Sequence, residues 1–481
     1  MLLLLPALLC ALGCLWIPRL RQRRSWNIYV FSLTLVTSVL LFLVTRKGNA
    51  EWTLLQVTPL FSIAFRVDAM NRVFLLLLAF LWPLAALYAF EYMAHEEREA
   101  RFFTFYTLSY AVTQLLALSA NLFTLYLFYE CLTLITLPLV THKEDGDSLR
   151  AGVTYLKYTI GGAALGLVGL MVLGHFGASG SFAPGGLLDL EGLSSADLAL
   201  LRVAFLCAFL GFGAKAALFP LSPWLPRASV APTPVTALLH AVAVVNAGVF
   251  ACLRLTYDCF GPAVLAGSWA QTAVLLLSAF TILFGAVMAV RERHLKRRLA
   301  WSTVYHLSYM LFSLSLLTPA GLNGALTHLV FHGFMKISLF FCAGAFLVRA
   351  EAEYLPQLRG MGRALPWTVS FYTLAGLALT GIPPLIGFQS KWAILTAAVP
   401  LGTWPAWIGA AAVILSSVLA AVYLLEPAVQ MIFLPGGSRP EVSDPSWRML
   451  LPLGLLAACI VLLGIWPGPV RSLIDAAVAL Y

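Results

Sequence analysis

Runs of eighteen or more apolar residues recur from one end of this 481-residue chain to the other, and that recurrence leaves few folds open. A run of that length, coiled as a helix, matches the roughly 30 Å hydrocarbon thickness of a bilayer. Inside hydrocarbon every backbone N–H and C=O must find its partner within the protein, so such runs form helices rather than open sheets. The pattern predicts about fourteen transmembrane helices, over 2–18, 27–45, 72–94, 102–119, 121–142, 151–175, 199–223, 234–256, 266–290, 299–317, 322–348, 366–398, 404–434 and 448–468. Charged residues make up only 11% of the chain, against about 25% in a soluble domain. The expected fold is therefore an all-α polytopic membrane protein with no room for a separate soluble domain.

The first span follows Met1 directly and its basic cluster comes after it. A secretory leader has the reverse order, so a retained helix is expected. With the first loop placed inside, the odd-numbered loops hold Arg19, Arg21, Arg23, Arg24, Arg98, Arg101, Lys143, Arg150, Arg227, Arg291, Arg293, Lys296, Arg297, Arg298, Arg349, Arg359, Arg363, Arg439 and Arg448. The opposite loops hold only Arg46, Lys47, Arg66 and Arg72. The positive-inside rule then puts both termini on the outer side of what is expected to be a bacterial or archaeal cytoplasmic membrane. The net charge of +9 thus reports orientation, and with no interleaving of aromatic and basic residues nucleic acid is excluded as a partner. Eight cysteines stand singly, with no CxxC and no ligand spacing, so neither a metal nor another cofactor is expected.

Three segments depart from plain spanning helices. After Lys215 comes PLSPWLPRASVAPTP, which cannot continue a helix; before Lys391 comes GIPPLIGF; and His328, His332 and Lys336 share a third span, where Gly333 is expected to loosen the helix. Irregular backbone at membrane depth survives only where protein buries it or where it lines a wet cavity, and paired broken helices point to repeats and transport sites. The expected organisation is residues 1–100 as helices 1–3, 101–260 and 261–436 as two inverted five-helix repeats (helices 4–8 and 9–13), each with a broken helix, and 437–481 as helix 14. Residues 176–198 read as an external connection, and 52–70 as a small external hairpin.

Ionisable groups inside these spans cost roughly 2.5–3.5 kcal/mol each even on lenient insertion scales, so they need partners and a task. Glu130 and Lys215, if they approach, form a coupled pair in which a moving neighbour charge loads or unloads a proton; a static ion pair that fixes helix packing is the alternative. His328, His332 and Lys336 recur at i, i+4, i+8 and stack on one face as a column that water can join, or as satisfied structural groups. The two histidines have metal-ligand spacing, but no Cys, Asp or Glu completes a site. His240, in the helix after the first break, is either a bridge to the second half or a hydrogen-bonded structural residue, and Lys391 either ends the path or snorkels to the interface. Asn246 orients water but carries no charge. Lys157 is expected to snorkel, and His306 and Glu426 to serve local packing or contact with water. RERHLKRR reads as a loop anchor.

No nucleophile elbow, P-loop, HExxH or Rossmann fingerprint occurs in a suitable context, so no catalytic site is expected in the chain itself. The segment KAALFPLSPWLPRASVAPTPVTALLHAVAVVNAGVFACLR resembles the signature region of the antiporter-like subunits shared by respiratory complex I, Mrp cation/proton antiporters and membrane-bound hydrogenases. HLKRRLAWSTVYHLSYM, LTHLVFHGFMKISLFFCAGAFL, GIPPLIGFQSKWAIL and FYECLTLITLPLV resemble further stretches of that family over about residues 60–435. The resemblance implies that Glu130 and Lys215 are the fifth- and seventh-helix pair, His240 the eighth-helix histidine, His328, His332 and Lys336 the eleventh-helix series, and Lys391 the twelfth-helix exit residue. Asn246 stands where many members carry lysine, which shifts weight to His240 and Lys336, and His294 replaces a common acidic residue. The length suits the shorter members, including the D-type Mrp subunit.

The implied function is proton translocation within a larger redox-driven or antiport complex, whose other membrane subunits supply the energy. Protons are the expected cargo, with sodium left open, and the lipid bilayer is the surrounding solvent. A sodium/proton antiport subunit or a stand-alone secondary ion transporter is the alternative. A membrane enzyme acting on lipid or glycan lacks the carboxylate pair or metal cluster it needs.

Overall fold

The computed structural model describes residues 2–20, 22–48, 50–58, 61–178, 180–436 and 441–481; Arg21 and Arg439 of the basic loops lie outside them. The described chain is mostly helical, and eleven of its helical stretches are long and apolar enough to cross a membrane. In chain order the first six helices are α1 (Leu5–Gly13), α2 (Arg23–Thr45), α3 (Ala69–Tyr92), α4 (Glu99–Ala117), α5 (Leu122–Val140) and α6 (Gly146–His175). Next come α7 (Ser195–Gly213), α8 (Trp224–Arg227), α9 (Thr233–Ala241), α10 (Val244–Arg254), α11 (Pro262–Leu265), α12 (Trp269–Arg291) and α13 (Leu295–Leu314). The last seven are α14 (Pro319–Ala350), α15 (Met361–Ala364), α16 (Pro366–Thr380), α17 (Ile386–Ala398), α18 (Trp404–Phe433), α19 (Trp447–Ile465) and α20 (Gly468–Val478). Between α2 and α3, strands β1 (Glu51–Gln56) and β2 (Ser62–Arg66) form an antiparallel hairpin where alternation suggested one.

Side chains that accept from the first turn start many of these helices. Asp68, Asn121, Asp145, Ser194, Ser268 and Thr318 cap α3, α5, α6, α7, α12 and α14 in this way, satisfying amides that hydrocarbon cannot. The prolines act as expected: the long helices are interrupted between α7 and α9, where only the single turn of α8 and a short 3-10 turn form, and again between α16 and α17, and both breaks contain a cis X–Pro bond, Phe219–Pro220 and Pro383–Pro384.

Four sequence expectations need correction. The helix expected over 199–223 ends at Gly213, so Lys215 sits inside the break rather than before it; Ala217 there has φ +53°, incompatible with a continuing right-handed helix. The helix expected over 234–256 is two helices, parted at Val242 and Ala243, and Asn246 donates from Nδ2 to the freed Ala241 carbonyl at 2.9 Å. The third segment is unbroken, because Gly333 lies within continuous α14; a Cβ there would lie 3.4 Å from the Ala241 carbonyl oxygen, so the glycine gives close approach to the α9–α10 break. Finally, α13 begins at Leu295, which draws Lys296 and Arg298 of the basic cluster into the protein.

α14 is the hub. It packs on α3, α9, α13, α16, α17, α19 and α20, and its apolar span is buried throughout, as is that of Thr233–Phe260. By contrast α2, α6, α18 and α19 each turn a row of large apolar side chains outward, as a lipid-facing surface requires. The ionisable residues of the first and second breaks therefore sit around the two most enclosed elements.

Candidate functional site

Lys215 is fully buried in the first break. Its ammonium donates to the main-chain carbonyl of Tyr129 on α5 and lies over the Tyr129 ring, 3.4 Å from the centroid. The ring is fixed in turn, its hydroxyl donating to the Phe212 carbonyl at 3.0 Å near the end of α7. Trp224 Nε1 donates to the Ala214 carbonyl at 2.8 Å, so the break's own backbone is held by side chains. On the other side, α10 presses in at Gly248, where a Cβ would stand 3.0 Å from that of Lys215.

Glu130 does not form the anticipated direct pair. Lys215 engages the preceding residue's carbonyl, and no ammonium or guanidinium lies within 4.0 Å of Glu130 among the described residues. Glu130 is half-buried with one carboxylate oxygen enclosed and unpartnered, near enough for its charge to act on Lys215.

The second cluster lies between α13, α14 and α17. His306 Nδ1 and His328 Nε2 share a hydrogen bond of 3.0 Å, and His328 Nδ1 shares another with Ser390 Oγ at 2.9 Å. The His332 ring stands 5.9 Å from that of His328 and 5.6 Å from that of His306. One turn further, Lys336 donates to the Leu299 carbonyl at 2.9 Å and to the Ser302 hydroxyl. One turn of α14 thus separates each of the three expected groups, as their spacing requires. Across the second break, Lys391 donates to the Thr380 carbonyl at the end of α16 at 2.8 Å, with its ammonium 5.8 Å from the Tyr309 ring centroid. It is buried rather than snorkelling.

His240 on α9 is fully buried, its ring 4.9 Å from that of Phe340 on α14. Both its ring nitrogens lack a protein partner, as do both of His332, Nε2 of His306 and Oδ1 of Asn246. Enclosed polar atoms of this kind are ordinarily satisfied by ordered water. No protein hydrogen bond joins Lys215 to His240.

Two functional candidates escaped the sequence reading. His306, read as local packing or water contact, is a direct member of the histidine cluster; its signal was a titratable side chain within an otherwise uncharged span. Lys296, assigned to a loop anchor, is buried and donates to the Ala231 carbonyl at 2.8 Å, which ties α13 to the first break. Arg298 beside it pairs with Glu426 at 2.7 Å, so Glu426 is a local partner as expected.

A separate buried ion cluster had no sequence expectation. Arg254 at the end of α10 contacts Asp68 at 2.6 Å and Asp258 at 2.7 Å, and the Tyr481 hydroxyl donates to Asp258. Burial pushes the Asp68 carboxyl up, but the Arg254 guanidinium, the Asn71 amide and Arg66 together hold it below its ordinary value.

Residues 119–420 match the family described as "NADH:quinone oxidoreductase/Mrp antiporter, TM", and residues 56–103 match "NADH-Ubiquinone oxidoreductase (complex I), chain 5 N-terminus". The NADH-quinone oxidoreductase subunit L of Mycobacterium tuberculosis is 32% identical over 402 residues, covering 81% of this chain and 61% of the relative. Hydrogenase-4 component B of Escherichia coli is 32% identical over 346 residues, 69% of this chain and 50% of the relative. Subunit N of the Desulforudis audaxviator enzyme is 30% identical over 419 residues, 84% and 81% of the two chains. The chain thus spans between half and two thirds of the length of the subunit L and component B relatives. Among solved structures, a chain of an archaeal membrane-bound sulfane sulfur reductase superposes with a TM-score of 0.86 at 24% identity, covering 100% of this chain and 96% of that one. A chain of respiratory complex I from Thermus thermophilus gives 0.82 at 24% identity, with 99% of both covered.

Proposed function

The chain belongs to the NADH:quinone oxidoreductase/Mrp antiporter family of transmembrane subunits, and we propose that it conducts protons through a buried axis of lysine, histidine and water within a multisubunit membrane complex. The observation that carries this reading is the set of enclosed ionisable side chains (Lys215, His240, His332, His328, His306, Lys336 and Lys391) gathered about two helix breaks and α14. Several of these nitrogens have no protein partner, which leaves them open to ordered water, the medium that a proton relay needs.

Protons enter at the first break, which carries the enclosed hydroxyls of Ser222 and Ser229 and whose Ala231 carbonyl accepts from the Lys296 ammonium, and reach Lys215. They pass by way of water and His240 to the cluster of His332, His306, His328 and Lys336, and leave at Lys391. Glu130 sets the affinity of Lys215 through its distance, since the ammonium already has an alternative hold in the Tyr129 carbonyl and ring. One charge crossing 100 mV costs or gains about 2.3 kcal/mol, so a signal from neighbouring subunits or an ion gradient drives the cycle.

The eleven apolar spans, together with α4, α13 and the α16–α17 pair, support a fourteen-helix topology. The even count and the basic loops favour both termini on the outer face of a cytoplasmic membrane. The two breaks, each with a lysine holding a carbonyl, favour an inverted repeat of helices 4–8 and 9–13.

The test compares proton movement into vesicles holding the complete native assembly with movement into vesicles holding the chain alone. Translocation by the assembly, with the chain alone inactive, supports the reading. Coupled ion exchange by the isolated chain replaces it with a stand-alone transporter.

A further inference from the structure

At the end of the bundle that carries the basic loops, α2, α3 and α19 leave a cleft of about 700 Å³ between them. Its lining includes Arg23, Arg24, Asn27, Glu91, Trp447 and Arg448. The carboxylates nearby are already engaged: Glu91 accepts from the Ser446 amide at 2.9 Å and from its hydroxyl, and Glu99 pairs with Arg23 at 3.2 Å. Arg24 and Arg448 have no carboxylate within 4.0 Å among the described residues; Arg448 only lies over the Trp447 ring, 6.0 Å from its centroid. The cleft therefore presents two guanidiniums whose charge the protein leaves unbalanced.

We infer that this cleft binds the phosphodiester headgroup of an anionic glycerophospholipid. Guanidinium is the side chain best matched to phosphate oxygens, through paired N–H donors. The position is lateral, at the level where helices leave hydrocarbon. Trp447 is 62% exposed and Ile28 59%, an amphipathic ring and an apolar side chain facing outward beside the charges, as at a headgroup boundary. α2 and α19 each pack on α3, and α3 leaves Phe80 exposed and Leu84 partly exposed, eleven and seven residues before Glu91 and so on the same face of the helix. Acyl chains lie against that apolar face while the headgroup takes the arginines; a free phosphate ion uses only the arginines. Basic pockets between helix ends are the recurrent form of such lipid sites.

The purified full chain in detergent, offered equal amounts of phosphatidylglycerol and phosphatidylcholine, is examined by native mass spectrometry for retained lipid. Phosphatidylglycerol is expected to be retained preferentially. The double variant R24Q/R448Q is expected to lose that preference by roughly thirtyfold, and each single variant by roughly fivefold. Both arginines are exposed, so folding is unaffected, and R363Q, an exposed arginine elsewhere on the basic end, leaves the preference intact. Millimolar inorganic phosphate fails to displace the lipid. Equal retention of the two lipids, an undiminished preference in the double variant, or displacement by phosphate alone overturns the proposal.

Discussion

His306→Leu tests whether the histidine cluster is a conductor or a packing device. The substitution removes the 3.0 Å hydrogen bond to His328 Nε2 and leaves that nitrogen enclosed and unpartnered, a loss of about 1–3 kcal/mol. It also removes His306 Nε2, which has no partner in the wild type, and recovers part of that loss. The net destabilisation is thus about 0–2 kcal/mol, too small to prevent assembly. Transport responds differently, because a proton must cross the interrupted link. A barrier raised by the same 1–3 kcal/mol slows flux roughly 5- to 150-fold. His306→Gln separates the roles: its amide restores a hydrogen bond but cannot take up and release a proton. The account expects H306Q to regain the melting temperature and to remain slow in a pH-dye flux assay on vesicles with the complete complex. Wild-type flux in H306L, or recovery of flux together with stability in H306Q, refutes the relay assignment.

Arg254→Met leaves Asp258 buried without its cation and Asp68 with Arg66 alone, and a loss of about 3–5 kcal/mol in denaturation experiments is expected. The Asp68 carboxyl titrates in the folded chain below its ordinary 3.8, so its stabilisation is present above that value and disappears as pH falls through the folded one. Melting temperature is therefore expected to drop in that acid window in the wild type, and less steeply in Asp68→Asn. Gly248→Ala places a methyl 2.9 Å from the Lys215 carbonyl carbon, and overpacking of about 1–3 kcal/mol is expected as a lowered melting temperature with slowed flux.

The large elements were legible because hydrocarbon enforces them: apolar runs give spans, and proline clusters give the breaks beside Lys215 and Lys391. The i, i+4, i+8 series from His328 to Lys336 survives folding unchanged, since it lies on one continuous helix. Features made by tertiary contact were not legible. Nothing in HAVAVV marks the parting at Val242 and Ala243; the break is held by Asn246, whose role requires knowing where its amide reaches. His306 gains meaning only from α14 beside it, and Lys296 was masked by its neighbours in a basic loop. Arg254 and Asp258 have helical spacing, yet Asp68 is 186 positions away in sequence. Gly333 was misread because a glycine that loosens a helix and one that admits a neighbour look alike in one dimension.

The central claim is that protons pass through Lys215, and proton flux in Lys215→Met is its most direct measure. The methionine keeps the apolar stem and removes a buried charge whose direct contacts among the described residues are a carbonyl and a ring, so folding stays within about 2 kcal/mol of wild type. Vesicles with the fully assembled K215M complex are expected to lose proton translocation, while Lys215→Arg keeps the charge and stays assembled but cannot release its proton and is equally inactive. Translocation at the wild-type rate in an assembled K215M complex contradicts the claim.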